Sequence, residues 1–432
     1  MVQIKTLFES KMIFKIVCLV LPPLVLACGS SKSTIDSEGA MVDARVSQRI
    51  DSTLNAFVET DKIVGASALI YENGEQVYYN AYGFADKERD KKMKRNTIVQ
   101  IFSMTKPIAG VALMQLYEQG LFDLDDPLEK HAPEFAALKV YAGEGDNGEP
   151  ILEEPRRPVT IRDITRHTAG FASDPSAPGI GPIYAESDPR DVKNTLEQFA
   201  EKLGKLPLAF HPGEKWDYGL SVDVQAFLVE RLSGQDFDVY IRDNILEPLG
   251  MDDTRYFVPE KNRDRMAAVY EKEETGVFRI PDLEAFGFNH NEWPLKPGGF
   301  GLTSTLDDYM AFAQMLLNKG SYKGEQILKP ETIELMTTDQ LEEEVKDRSW
   351  LPSKGQVGFG IDFAVRVRPP ADAEENYGVV GEFFWDGAAS TLFWVDPVNQ
   401  LTAVFFTQLR PFDPYGLHGD FRDAVYGSLT EK

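Results

Sequence analysis

Segments of strand character occur near both ends of this chain of 432 residues, and a long stretch of helical character separates them. Near the start, the β-rich segments 65–71 and 76–82 flank Asn73-Gly74, a pair that suits a type I′ turn. After residue 358, four more β-rich segments follow, at 359–367, 379–385, 390–396 and 401–408. We therefore expect one antiparallel sheet that both ends of the chain build, with a helical region inserted at about 121–300.

Helical spacing of apolar residues predicts the layers that cover this sheet. The segments with this spacing are 41–60, 191–203, 221–233, 303–317 and 421–429. Residues 141–158 are rich in Gly, Glu and Pro and predict an exposed loop. The fold class is therefore α/β in the wider sense (α+β), with an antiparallel sheet flanked by helices and an all-helical subdomain.

A serine and a lysine three positions apart, Ser103 and Lys106, open a further helical segment. At this spacing the two side chains share one face of a helix. One interpretation is a nucleophile beside a lysine whose burial favours its neutral, proton-accepting form. The other is a helix N-cap serine and a solvated lysine. The chain has no Gly-x-Ser-x-Gly sequence, which excludes the simplest α/β-hydrolase interpretation.

Charge and histidine content exclude two other classes of function. The formal net charge of −24 and a pI near 4.7 argue against nucleic-acid binding, which needs clustered Lys and Arg. The five histidines do not occur at metal-ligand spacing. We therefore predict neither a metal site nor a cofactor.

The N-terminus predicts an export signal. Lysines at 5, 11 and 15 precede the apolar run 16–27, which ends at Ala27-Cys28. That junction resembles a bacterial lipobox, in which the cysteine carries the lipid. We expect residues 1–27 to be a lipoprotein signal peptide, Cys28 the lipidation site and 28–44 a tether. The expected location is the cell envelope, on the periplasmic side of the outer membrane; an uncleaved anchor is the alternative, and Met12 is an alternative start.

Several short motifs occur in a fixed order along the chain. They are Ser103-Met-Thr-Lys106, Leu124-Asp-Asp-Pro127, His167-Thr-Ala-Gly170, Glu247-Pro-Leu-Gly-Met-Asp-Asp-Thr254, Gly299-Phe-Gly-Leu-Thr-Ser-Thr305 and Trp385-Asp-Gly-Ala388. Together they resemble the serine β-lactamase and penicillin-binding-protein superfamily, and most closely the family VIII carboxylesterases related to class C β-lactamases. The likeness runs from about residue 45 to the end, which implies a single β-lactamase-like domain over 45–432.

The resemblance implies the remainder of a catalytic site. Tyr218, in Trp216-Asp-Tyr-Gly-Leu-Ser221, matches the family's catalytic tyrosine and would be a partly ionised proton shuttle for Ser103. The third family motif falls on Trp385, Asp386 and Gly387. The backbone N–H groups of Ser103 and Ala388 would form the oxyanion hole. His167 matches a structural family residue.

Departures from the family pattern predict the substrate class. Trp385 and Asp386 stand where β-lactamases carry cationic or hydroxyl residues that hold a substrate carboxylate, and Leu220 stands in place of an Asn. Both changes favour a small uncharged ester or amide substrate, and esters above all. Asp386 repels carboxylates, favours a cationic substrate or points away. The alternatives are a β-lactamase or D-Ala-D-Ala carboxypeptidase, and a non-catalytic envelope binding protein; the sequence leaves the oligomeric state open.

Overall fold

The computed structural model describes residues 40–172, 176–372, 375 and 377–427. The predicted signal peptide, Cys28 and most of the predicted tether lie outside the described residues. Among the helices within these bounds, none combines the length and the apolar character that a membrane crossing requires.

Short strands and short helices make up most of the chain between its two ends. In chain order, the strands are β1 (Gly65–Glu72), β2 (Glu75–Asp86), β3 (Lys91–Lys92), β4 (Val99–Gln100), β5 (Val140–Glu144), β6 (Pro150–Glu153), β7 (Tyr270–Glu273), β8 (Gly276–Arg279), β9 (Thr303–Ser304), β10 (Ser321–Tyr322), β11 (Glu325–Gln326), β12 (Val357–Phe359), β13 (Ala364–Arg366), β14 (Phe383–Asp386), β15 (Leu392–Asp396), β16 (Leu401–Phe406) and β17 (Leu409–Arg410). The helices are α1 (Ala44–Glu59), α2 (Thr105–Glu118), α3 (Leu128–His131), α4 (Ile161–Thr165), α5 (Ile180–Ser187), α6 (Leu196–Leu203), α7 (Ser221–Ser233), α8 (Phe237–Ile241), α9 (Glu247–Leu249), α10 (Glu260–Arg263), α11 (Asp282–Ala285), α12 (Leu306–Leu317), α13 (Pro330–Met336) and α14 (Leu417–Tyr426).

An eight-stranded antiparallel sheet joins the two ends of the chain, as predicted. Its strand order is β12-β13-β14-β15-β16-β1-β2-β3, and the pairing of β1 with β16 sets Ser67 opposite Phe406. The β1–β2 hairpin turns at Asn73 and Gly74, whose φ angles of 53° and 80° are both positive. This is the requirement of a type I′ turn, so the sequence-based prediction of this hairpin is confirmed.

Helices cover both faces of the sheet because successive side chains of each strand point to opposite faces. On β15, Phe393 packs against Tyr309 of α12, with ring centroids 4.9 Å apart. Its neighbour Trp394 packs against Phe421 of α14 at 5.5 Å, and α14 in turn contacts α1. The predicted sheet between helical layers is therefore confirmed.

The region 121–300 is not all-helical, and the prediction was wrong on this point. It contains the hairpins β5–β6 and β7–β8, and β7 also pairs in parallel with β17 far along the chain. Every residue of β6 is exposed, so the predicted excursion at 141–158 is exposed but regular.

Several element bounds also differ from the prediction. The helix expected at 191–203 begins only at Leu196, because Thr195 and Gln198 form a capping box there. The strand expected at 359–367 is interrupted between β12 and β13, where Asp362 adopts a φ of 60°. The helix expected at 303–317 is capped by Thr305 and so begins at Leu306.

Candidate active site

The turn that carries Ser103 lies between a short strand and a largely buried helix. After β4, residues Phe102–Met104 form a 3₁₀ turn, and Phe102 has a φ of 46°. Helix α2 follows, and residues 105–114 of it are all buried, as expected of a helix in the core. Its N-cap is Met104, and Lys106 is only 3% exposed. The interpretation of Ser103 as an N-cap and Lys106 as a solvated lysine is therefore wrong.

The ammonium nitrogen of Lys106 contacts the predicted nucleophile directly. Its Nζ donates to the Oγ of Ser103 at 3.3 Å and to the carbonyl oxygen of Gly299 at 2.6 Å. Burial lowers the pKa of Lys106 to about 7, and the opposing attraction of Asp223 is not enough to restore it. A large fraction of Lys106 is consequently neutral near pH 7 and able to accept a proton.

Tyr218, in the loop before α7, contacts the same serine. Its hydroxyl forms a hydrogen bond with Ser103 and accepts one from the Nε1 of Trp385 at 3.2 Å. Lys106 Nζ lies 4.4 Å from the centroid of its ring. Burial raises the pKa of Tyr218 despite these hydrogen bonds. The resting phenol is therefore neutral, and the prediction of a partly ionised tyrosine was wrong.

His167 forms hydrogen bonds with the residues on either side of Tyr218. Its backbone oxygen accepts from the N–H of Asp217 at 3.0 Å, and its Nδ1 accepts from the N–H of Gly219 at 3.4 Å. The imidazole ring lies 4.7 Å from the ring of Tyr218. Burial lowers the pKa of His167, so the ring stays neutral. These contacts agree with the structural role that the sequence indicated.

Strand β14 places the third motif beside the nucleophile. Trp385 points to Tyr218, and the next residue, Asp386, points to the opposite face, where its carboxylate pairs with the buried ammonium of Lys354. Of the three predicted roles for Asp386, the structure thus favours the one in which it points away. A Cβ on Gly387 would overlap the carbonyl oxygen of Ile101, so glycine allows the close approach of β14 to the serine turn.

The two predicted oxyanion donors, the backbone N–H groups of Ser103 and Ala388, lie where the end of β14 comes close to the serine turn. Ala388 is exposed and Ser103 is half-buried. Their role in an oxyanion hole stays a prediction.

Sequence reasoning missed an ion pair that positions Gly299, whose carbonyl oxygen accepts the hydrogen bond from Lys106. Arg190 donates to Asp223 at 2.5 and 2.8 Å, and the other carboxylate oxygen of Asp223 accepts from the N–H of Gly299 at 2.8 Å. Asp223 lies in the first turn of the predicted helix that follows Tyr218, which was a usable signal. Arg190 has no comparable signal, because only the fold brings it to this position.

Comparison with known proteins gives consistent matches over most of the chain. The family model described as Beta-lactamase matches residues 50–427. Protein Rv1367c of Mycobacterium tuberculosis is 32% identical over 355 residues, which cover 80% of this chain and 86% of that protein. Esterase EstB of Burkholderia gladioli is 28% identical over 420 residues, with 91% and 99% covered. The solved structure of EstCE1, a hydrolase with promiscuous acyltransferase activity, matches with a TM-score of 0.72 at 27% identity and covers 90% of this chain and 100% of its own.

Proposed function

This chain belongs to the beta-lactamase family, as a serine hydrolase with esterase relatives, and we propose that it hydrolyses uncharged carboxylic esters. The observation that carries the proposal is the contact of Ser103 with Lys106 and Tyr218 beside a tryptophan at the third motif. A tryptophan offers an apolar surface where a carboxylate-binding enzyme of this family needs a cation.

The charges around the site support an uncharged substrate. The guanidinium of Arg190 is paired with Asp223, and the carboxylate of Asp386 is paired with Lys354. Each pair compensates its own charge, so neither presents a single uncompensated charge that would select an ionic substrate. The match to the Beta-lactamase family model and the similarity to esterase EstB support this interpretation of the motifs.

The proposed mechanism assigns opposite proton roles to lysine and tyrosine. Neutral Lys106 accepts the proton of Ser103 while Oγ attacks the ester carbonyl, and the N–H groups of Ser103 and Ala388 hold the oxyanion. The neutral phenol of Tyr218 donates its proton to the leaving alkoxide as the C–O bond breaks, and protonated Lys106 returns a proton to Tyr218. Water then attacks the acyl-enzyme by the same steps in reverse.

The test compares an ester with a lactam. Purified protein is assayed with ethyl acetate, by proton release, and with a chromogenic cephalosporin. We expect turnover of the ester, loss of at least 1,000-fold of that activity in Ser103→Ala, and normal activity in Ser52→Ala, an exposed serine of α1. A clear preference for the cephalosporin would instead support a β-lactamase or peptidase, which the same Ser-Lys-Tyr set could serve. Ester turnover that survives in Ser103→Ala would refute the assignment of the nucleophile, and no turnover of either substrate would favour a binding protein.

We also propose that a lipid on Cys28 holds the enzyme at the periplasmic side of the outer membrane. The proposal rests on the charged and apolar regions before Ala27-Cys28 in the sequence. In a bacterium that processes lipoproteins, Cys28→Ser should move the protein from the membrane fraction to the soluble envelope fraction. Cys18→Ser, within the signal itself, is the matched control and should stay with the membrane. An unchanged distribution of the Cys28→Ser variant contradicts lipidation.

A further inference from the structure

An exposed tryptophan lies next to two residues of the proposed site. Trp350 is 40% exposed, although its ring centroid is 5.2 Å from that of Tyr218 and 6.1 Å from that of Trp385. Tyr218 contacts both Ser103 and Trp350, so a single side chain separates this ring from the proposed nucleophile. None of the catalytic steps uses Trp350.

A second exposed aromatic ring lies close by. Phe412 follows β17 in the chain and is 44% exposed. Lys354 connects the two rings, because its ammonium nitrogen is 5.2 Å from the ring centroid of Trp350 and 4.6 Å from that of Phe412. The same nitrogen is 5.3 Å from the ring of Trp385. Three aromatic rings therefore surround one lysine.

The aromatic rings rest on the ion pair of Lys354 and Asp386, which carries no net charge. Lys354 and its partner Asp386 are each 7% exposed, so the ion pair is buried. Of the three rings near it, Trp350 and Phe412 face solvent, whereas Trp385 is buried. Contacts between a cation and aromatic faces add to the attraction that holds the rings. A large aromatic residue is costly to leave exposed, and an exposed apolar group beside a site indicates a binding surface.

We propose that Trp350 and Phe412, which together form an aromatic rim, bind an aromatic group of the ester substrate. This inference rests on the proposed esterase function and names its substrate class. An aromatic group fits because ring–ring contacts add affinity beyond the burial of apolar area. The ion pair of Lys354 and Asp386 beneath the rim has no net charge, so it does not favour a charged group there.

The experiment distinguishes binding of an aromatic group at the rim from the catalytic steps at Ser103. Rates of proton release are measured with ethyl acetate, with ethyl phenylacetate, which carries the ring on the acyl side, and with benzyl acetate, which carries it on the alcohol side. We expect Trp350→Ala to lower kcat/KM about ten-fold for at least one of the two aromatic esters, and by less than about two-fold for ethyl acetate. Phe412→Ala should act in the same direction. The control is Phe278→Ala, which removes a ring of similar exposure, 46%, from β8.

Equal loss on all three esters in Trp350→Ala, or no loss, overturns the proposal. A failure of the esterase function is recognised separately, because wild-type protein would then release no Ser103-dependent protons from any ester. Binding is measured in either case with phenylacetamide and acetamide by ligand-observed NMR. Phenylacetamide should bind about ten-fold more weakly to Trp350→Ala than to wild type, and unchanged binding again contradicts the rim.

Discussion

The substitution Lys106→Met tests the electrostatic cost on which the proposed chemistry depends. Burial lowers the pKa of Lys106 from its ordinary value of 10.5 to about 7. Between these two pH values the unfolded chain binds a proton at this lysine that the folded chain does not hold. The free energy of unfolding therefore rises with pH across this window, by about 1.4 kcal/mol per pH unit. Below pH 7 the full destabilising cost of burying the lysine is present.

Methionine has nearly the same length and no charge, so it removes this dependence. Relative to wild type, Lys106→Met should be more stable at pH 7.5 than at pH 9.5 by about 2–3 kcal/mol. The variant also leaves the Gly299 carbonyl without its hydrogen bond, at a cost of about 1–3 kcal/mol. That second cost does not depend on pH, so the trend with pH and not the sign at one pH is the test.

Urea unfolding curves at pH 7.5, 8.5 and 9.5 give the free energies that the comparison requires. Lys205→Met is the matched control, because Lys205 is exposed and its removal should leave the pH dependence of stability unchanged. If the free energies of unfolding of Lys106→Met and wild type change in parallel with pH, the pKa of Lys106 is not lowered in the folded protein. The neutral lysine of the proposed mechanism would then be wrong.

Three further predictions concern activity. The kcat/KM for an ester should rise with pH and level off above about pH 7, as Lys106 loses its proton; a profile that is flat from pH 5 to 9 contradicts this base. Tyr218→Phe should lower kcat/KM, which reports acylation, at least ten-fold more for ethyl acetate than for p-nitrophenyl acetate, because only the ethoxide needs a proton to leave; equal losses would exclude Tyr218 as the acid. Gly387→Ala should lower kcat/KM about 100-fold, because its Cβ would overlap the Ile101 carbonyl and displace β14 from the serine turn; retained activity, with the fold checked by circular dichroism, would show that this approach is not needed.

The sheet could be predicted from the sequence because its signals are local. An Asn-Gly pair between two β-rich segments defines the first hairpin wherever it occurs, and the buried strands near the C-terminus are continuous apolar runs. The hairpins β5–β6 and β7–β8 lack such signals, since they are short and carry Glu and Lys at exposed positions. Strand β7 gains its partner β17 through the tertiary fold, 139 positions from Tyr270 to Leu409 in the register. Local propensity cannot report that contact.

The residues of the site also fall into those that the sequence signals and those that only the fold brings together. Ser103 and Lys106 could be found by their spacing on a helix, and Tyr218 and Trp385 by the order of motifs along the chain. The ion pairs Arg190–Asp223 and Lys354–Asp386 join distant elements, and an exposed and a paired carboxylate look identical in a sequence. For this reason the role of Asp386 stayed open until the structure placed Lys354 against it.

The protonation of tyrosine and lysine is the point at which the structure changes the expected chemistry most. A sequence shows that Lys106 and Tyr218 belong to one site, but it does not show which of them is ionised. Burial disfavours the charged form of each, so it raises the pKa of the phenol and lowers that of the ammonium. A large fraction of the protein then holds both groups neutral near pH 7, with the tyrosine as proton donor and the lysine as proton acceptor. Two groups whose pKa values move in these directions have separate acid and base roles, so a single buried environment can supply both protonation states that acyl transfer requires.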